Sequence, residues 1–68
     1  MGFKEARVRA GKKVSDVMEH MGVSDAAIYM WENGTTVPRG QKLARLAEFY
    51  GCSIDDLLKK EAETENND

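Results

Sequence analysis

One cysteine, one proline and one histidine are all that 68 residues contain of these types, and each scarcity excludes something. Cys52 alone cannot close an internal disulfide, and with His20 it cannot complete a four-ligand zinc site, so stability is expected to come from packing. Asp16 and Glu19 near His20 form no triad with any placed nucleophile, so no enzyme, metal or cofactor is expected, and His20 reads as a solvated residue of a helix. Neither a run of 18 apolar residues nor a signal-peptide pattern is present, and the start, MGFKEA, lacks the Ser or Thr of a myristoylation site. A soluble, cytoplasmic chain without membrane association is therefore expected. No stretch alternates with period two, which argues against strands. A chain this short buries only about 60% of the surface that its unfolded form exposes, leaving room for one core.

A positive balance is missing too, the net charge being -2, but the charge is unevenly spread. Residues 61–68, EAETENND, hold four of the twelve acids and no base, which leaves ten Lys and Arg against eight Asp and Glu in residues 1–60. With almost nothing apolar to bury, that acidic tail is expected to be disordered beside one ordered domain over residues 1–60. Lys4, Arg7, Arg9, Lys12 and Lys13 face only Glu5, and Arg39, Lys42 and Arg45 have no acid between them. The overall balance thus hides two local basic groups.

What the chain does have is regular punctuation. Gly11, Gly22, Gly34 and Gly51 each follow a segment with helical periodicity, where left-handed helix ends are found. They divide the chain into five short helices, an all-α fold. The first runs from about Phe3 to Ala10, with Phe3, Ala6 and Ala10 on one face. The second carries the stripe Val14, Val17, Met18, Met21. The third opens at Ser24, a good N-cap with Asp25 in the first turn, and buries Ile28 and Trp31. The fourth, after Pro38, places Leu43, Leu46, Ala47 and Tyr50 inward. The last starts at Ser53 with Asp56 three residues on, a variant capping box, and contributes Ile54, Leu57 and Leu58. Cys52, Trp31 and the methionines other than Met30 read as core. Only Gly22 and Val23 separate the second helix from the Ser24 cap, and so short a connection forces the sharp turn of a helix-turn-helix.

With GVS at Gly22 to Ser24, I..WENG at Ile28 to Gly34, then Pro38 and the SIDDLL of Ser53 to Leu58, the chain resembles the lambda-repressor and Cro-like, XRE-type helix-turn-helix family over residues 3–58. The resemblance implies a compact five-helix bundle whose third helix enters the major groove of double-stranded DNA, often as a homodimer reading a palindrome. The departures fall where that family reads DNA. Val14 stands where Gln often meets a phosphate, Met18 where a small Ala is usual, and Thr35 and Thr36 where the loop is often basic. Asp25, Ala26 and Met30 replace the common Gln, Arg, Ser or Asn.

A helix places residues 25, 26, 29, 30 and 33 on one side and 28 and 31 on the other. The outward face is therefore Asp25, Ala26, Tyr29, Met30 and Asn33. Asp25 can accept from a cytosine amino group, Ala26 and Met30 can meet thymine methyls, and Tyr29 offers a hydroxyl and a ring. The candidate phosphate contacts are Lys12, Lys13, Arg39, Thr35 and Thr36, with Lys42 offsetting the Asp25 charge, and Val14 and Ser24 complete the candidate DNA interface. Lys12 and Lys13 oppose the dipole of the second helix; either a bound phosphate relieves this or Ser15 caps a shorter helix and the lysines sit in water. The expectation is a small sequence-specific transcriptional regulator, repressor-like, controlled by concentration, dimerisation or a regulatory protein partner. The helix-five and Phe49 region is the apolar surface for pairing. The rival reading keeps the fold but lets Ala26, Tyr29 and Met30 dock a protein.

Overall fold

The computed structural model describes residues 1–59, so the expected acidic tail lies outside the described residues. Five helices follow in order: α1 (Phe3–Arg9), α2 (Val14–Met21), α3 (Asp25–Asn33), α4 (Gly40–Tyr50) and α5 (Ile54–Leu58), with no strand among the described residues. The bounds match the periodicity to within a residue or so. α1 ends at Arg9, with Ala10 as its cap and Gly11 in the left-handed conformation just beyond.

The apolar stripes converge on one core. Val17, Ile28, Leu46 and Leu57 are fully buried, and Phe3, Ala6, Met21, Trp31, Ala47 and Tyr50 close around them. Val14, Met18, Leu43, Phe49 and Cys52 are partly buried against this cluster. α1 packs on α3, α4 and α5, while α2 packs on α3 and α4, so α3 is held from one side and left open on the other.

The α2–α3 corner is made by backbone chemistry. Gly22 takes φ +70°, its N–H and that of Val23 donate to the Met18 carbonyl at 2.8 and 3.3 Å, and Ser24 Oγ then accepts from Ala27 N–H at 3.3 Å. The chain thereby reverses from one helix into the next within three residues.

Three expectations need correction. Only Leu57 of α5 is buried; Ile54 and Leu58, on the same face but at its flanks, are 39% and 46% exposed, because five residues turn a single position to the centre of the core. Ser15 does not cap α2. The helix starts at Val14, and the Asp16 carboxylate reaches back to the Lys13 N–H at 2.8 Å; lysine has no acceptor to return the bond, so this is half of a capping box. Phe49 is not an open apolar surface, since His20 stacks on its ring at 4.0 Å and the Lys12 ammonium lies 4.5 Å from its centroid. The backbone carbonyl of exposed His20 also receives Arg45, at 3.1 Å.

Candidate nucleic-acid interface

α3 presents the outward row that its sequence predicts. Asp25, Ala26, Tyr29, Met30 and Asn33 are all exposed, while Ile28 and Trp31 face the core. Tyr29 is 51% and Met30 37% exposed, so the centre of the row is an apolar pair in water. Asp25 stands in the first turn, where its charge favours the helix dipole. The row ends in a closed turn: Asn33 Oδ1 accepts from the Thr35 N–H at 2.9 Å and from the Thr35 hydroxyl at 2.6 Å. The Thr35 hydroxyl therefore already donates its proton within the turn, whereas Thr36 and the Asn33 amide NH2 remain exposed without a side-chain partner among the described residues.

α3 is fixed in place by a pair that periodicity did not disclose. The Arg7 guanidinium grips the Glu32 carboxylate through Nε at 2.6 Å and Nη2 at 3.3 Å, and its Nη1 donates to the Lys12 carbonyl at 3.1 Å. Both side chains are nearly buried, at 12% and 7% exposure, and the hydrogen bond to Glu32 raises the Arg7 pKa against the opposing effect of burial. One planar fork thus ties α1, the α1–α2 turn and the inner edge of α3 together. Its only signal in the sequence is a Glu in the WENG turn that has no local partner.

That pairing redraws the first basic group. Arg7 is spent on Glu32, Arg9 lies 3.9 Å from Glu5, and Lys12 points its ammonium at Phe49. Lys12 lines a hollow with Asp16, Glu19, His20 and Phe49, to which no outward α3 residue contributes. Lys12 is thus set apart from the rest of the predicted interface.

Val14, Tyr29 and Asn33 are brought together instead, along an open groove of about 450 Å³ between α1 and α3 that Lys4, Arg7 and Glu32 complete. With Arg7 neutralised, Lys4 is the exposed cation of this groove. In the sequence Lys4 belongs only to the first basic group; its i, i+3 spacing from Arg7 on α1 is the signal that puts both in this groove.

The second basic group splits in the same way. Arg45 turns to the His20 carbonyl, whereas Arg39 and Lys42 stay exposed at the start of α4. Arg39 is the N-cap residue there and makes no side-chain cap, and the first turn of α4 holds no acid. Gly40, the first residue of α4, takes φ +57°, a left-handed step that glycine adopts without strain.

The helix-turn-helix family profile matches residues 3–57, all but the last residue of the span from Phe3 to Leu58 that the five helices occupy. The chain belongs to the helix-turn-helix family. Among curated proteins it is similar to the HTH-type transcriptional activator BcrR of Enterococcus faecalis, 36% identical over 97% of this chain and 37% of that protein. It is also similar to Repressor protein C2 of Salmonella phage P22, 38% identical over 78% of this chain and 27% of that protein. The chain spans between a quarter and two fifths of the lengths of these relatives. No solved structure matches the chain at a significant level. The XRE-type resemblance drawn from the GVS, WENG and SIDDLL segments agrees with this family. No helix among the described residues is long and apolar enough to cross a membrane.

Proposed function

We propose that this helix-turn-helix chain binds double-stranded DNA as a transcriptional regulator, with α3 in the major groove. The observation that carries the reading is the outward row Asp25, Ala26, Tyr29, Met30 and Asn33, exposed on a helix whose opposite edge is anchored by Arg7 and Glu32. A helix fixed from behind and bare in front is what a groove-reading element requires. The family, and relatives named as an activator and a repressor, support DNA over protein docking.

Base contacts fall to Asp25, Ala26, Tyr29 and Met30. Phosphate contacts fall to Lys13, Arg39, Lys42, Thr36 and the Asn33 amide, joined by Lys4 beside Tyr29. The α4 start supports this directly. Its first turn has no side-chain cap and no acid, and it carries Arg39 and Lys42, an arrangement that opposes the helix dipole until a phosphate arrives. Lys12 makes at most a long-range contribution, since its ammonium sits on Phe49. The protein pairs as a homodimer, as two-fold symmetric operators require of a one-half-site reader.

Salt dependence tests the reading. Duplex binding titrated from low to raised salt should give a linear log–log plot, and Arg39→Ala should lower its slope by about one unit for all sequences alike. An unchanged slope removes Arg39 from the phosphate contacts; binding insensitive to salt removes the DNA reading.

A further inference from the structure

The outward residues of α3 share a limitation that narrows what they can recognise. Guanine presents acceptors at N7 and O6, read by bidentate donors such as Arg. Adenine presents the N7 acceptor beside its N6 amino donor, read by amides that pair with both; a carboxylate at N6 would face the N7 lone pair, which cytosine N4 does not impose. α3, DAAIYMWEN, contains no Arg, Lys or Gln. Its one amide, on Asn33, has its oxygen committed to the Thr35 N–H and hydroxyl, so it cannot make the paired donor and acceptor bonds that read adenine. Asp25 is acceptor-only, and Ala26 and Met30 offer apolar contact. Tyr29 retains a single hydroxyl. Pyrimidines match this set better: thymine carries a C5 methyl and cytosine an N4 amino donor.

Resting on the DNA reading above, we propose that α3 specifies its site through the pyrimidine edge, with Ala26 and Met30 on thymine C5 methyls and Asp25 on a cytosine amino group. The occupant of this apolar row is a duplex because the row is bordered by cations. Lys4 lines the same groove as Tyr29, Lys13 immediately precedes Val14 in that groove, and neither Lys4 nor Lys13 has an ion-pair partner among the described residues. The apolar centre then supplies discrimination and the cationic border supplies affinity. One consequence is specific to this chemistry. A cytosine methylated at C5 presents the same methyl as thymine at the same place, so methylation of the DNA becomes readable by the same side chains.

The experiment uses the full chain and a duplex that it selects from a randomised pool at low salt. Each thymine is replaced in turn by deoxyuridine, which deletes the methyl and leaves every hydrogen-bonding group. At the contacted positions binding should weaken about fourfold per methyl, the value of one buried methyl-sized group. Changing such a pair from thymine·adenine to cytosine·guanine should also weaken binding, and 5-methylcytosine there should recover about fourfold. Met30→Ala, an exposed position where circular dichroism should show an unchanged fold, should make thymine and uracil equivalent at one position. Tight binding that is indifferent to every deoxyuridine overturns the proposal, as does uracil sensitivity that persists in full in Met30→Ala, which assigns the effect to DNA stiffness. Retention without any enriched sequence also overturns it. Retention of no duplex at all overturns the DNA reading instead.

Discussion

At the scale of single residues, the pair that matters most is Arg7 with Glu32. Two charges taken nearly out of water are held by a bidentate fork, and removing one leaves the other buried and unmatched. Glu32→Gln should therefore destabilise the fold by about 2–4 kcal/mol in urea unfolding, whereas Arg7→Met with Glu32→Leu together should come within about 1 kcal/mol of the parent. A Glu32→Gln variant as stable as the parent would show that the pair is decorative. Tyr50 gives a second, pH-dependent handle. Burial first, and the Glu32 charge second, push its phenol up to about 12 from an ordinary 10. Between those values the unfolded chain loses a proton that the folded chain keeps, so this contribution is intact below pH 10 and is lost as pH rises toward about 12. The loss has a slope of up to about 1.4 kcal/mol per pH unit, and Tyr50→Phe should unfold without it while matching the parent at pH 7. Parallel stability curves for parent and variant through that window would contradict this. Neither feature is legible in the sequence beyond its residue type. Periodicity shows which residues turn inward, but Arg7 and Glu32 are 25 positions apart and meet only because α1 crosses α3. For the same reason the sequence overstates the first basic group, whose Arg7 and Lys12 are already engaged.

At the scale of elements the sequence is far more informative, because helix ends are local chemistry. Gly11, Gly22, Gly34 and Gly51 all stand in the left-handed conformation that their positions imply, and Ser24 and Ser53 both accept a backbone N–H at the start of their helices. Gly22 carries the greatest consequence, since it turns α2 into α3. A Cβ there meets nothing within 4 Å, so Gly22→Ala tests backbone strain alone and should cost about 1 kcal/mol, read as a lowered midpoint in urea. No change would mean that the corner relaxes to another conformation. What misled at this scale was the shortest helix. Ile54, Leu57 and Leu58 look like one apolar row in SIDDLL, but only Leu57 is buried, since a single turn and a half offers the core one residue. The start of α2 misled as well: Lys13 has no capping side chain of its own, and Asp16, read only as a neighbour of His20, supplies the bond.

For the whole molecule, none of the large exposed apolar residues lines the hollow that holds Phe49. Val37 and Leu58 are half exposed beside a groove of about 370 Å³ lined also by Phe3, Trp31 and Leu57. If a second copy covers this face, Leu58→Glu should shift sedimentation equilibrium to monomer while far-ultraviolet circular dichroism stays unchanged; an unaltered dimer would place the interface elsewhere. The outward face of α3 was readable in the sequence because a helix of known phase fixes it, and the exposure of all five residues agrees. The cations around that face were less legible, because Lys4 comes to the Tyr29 groove through the packing of α1 and Lys12 is drawn to Phe49. The central claim is that this face reads DNA bases. Its most direct measurement is selection of bound sequences from a randomised duplex pool by the parent chain and by a Tyr29→Ala, Met30→Ala variant. The account predicts an enriched palindromic sequence for the parent and a changed or flattened preference for the variant, both proteins remaining folded. The same enriched sequence from both, or no retained duplex at low salt, would contradict it.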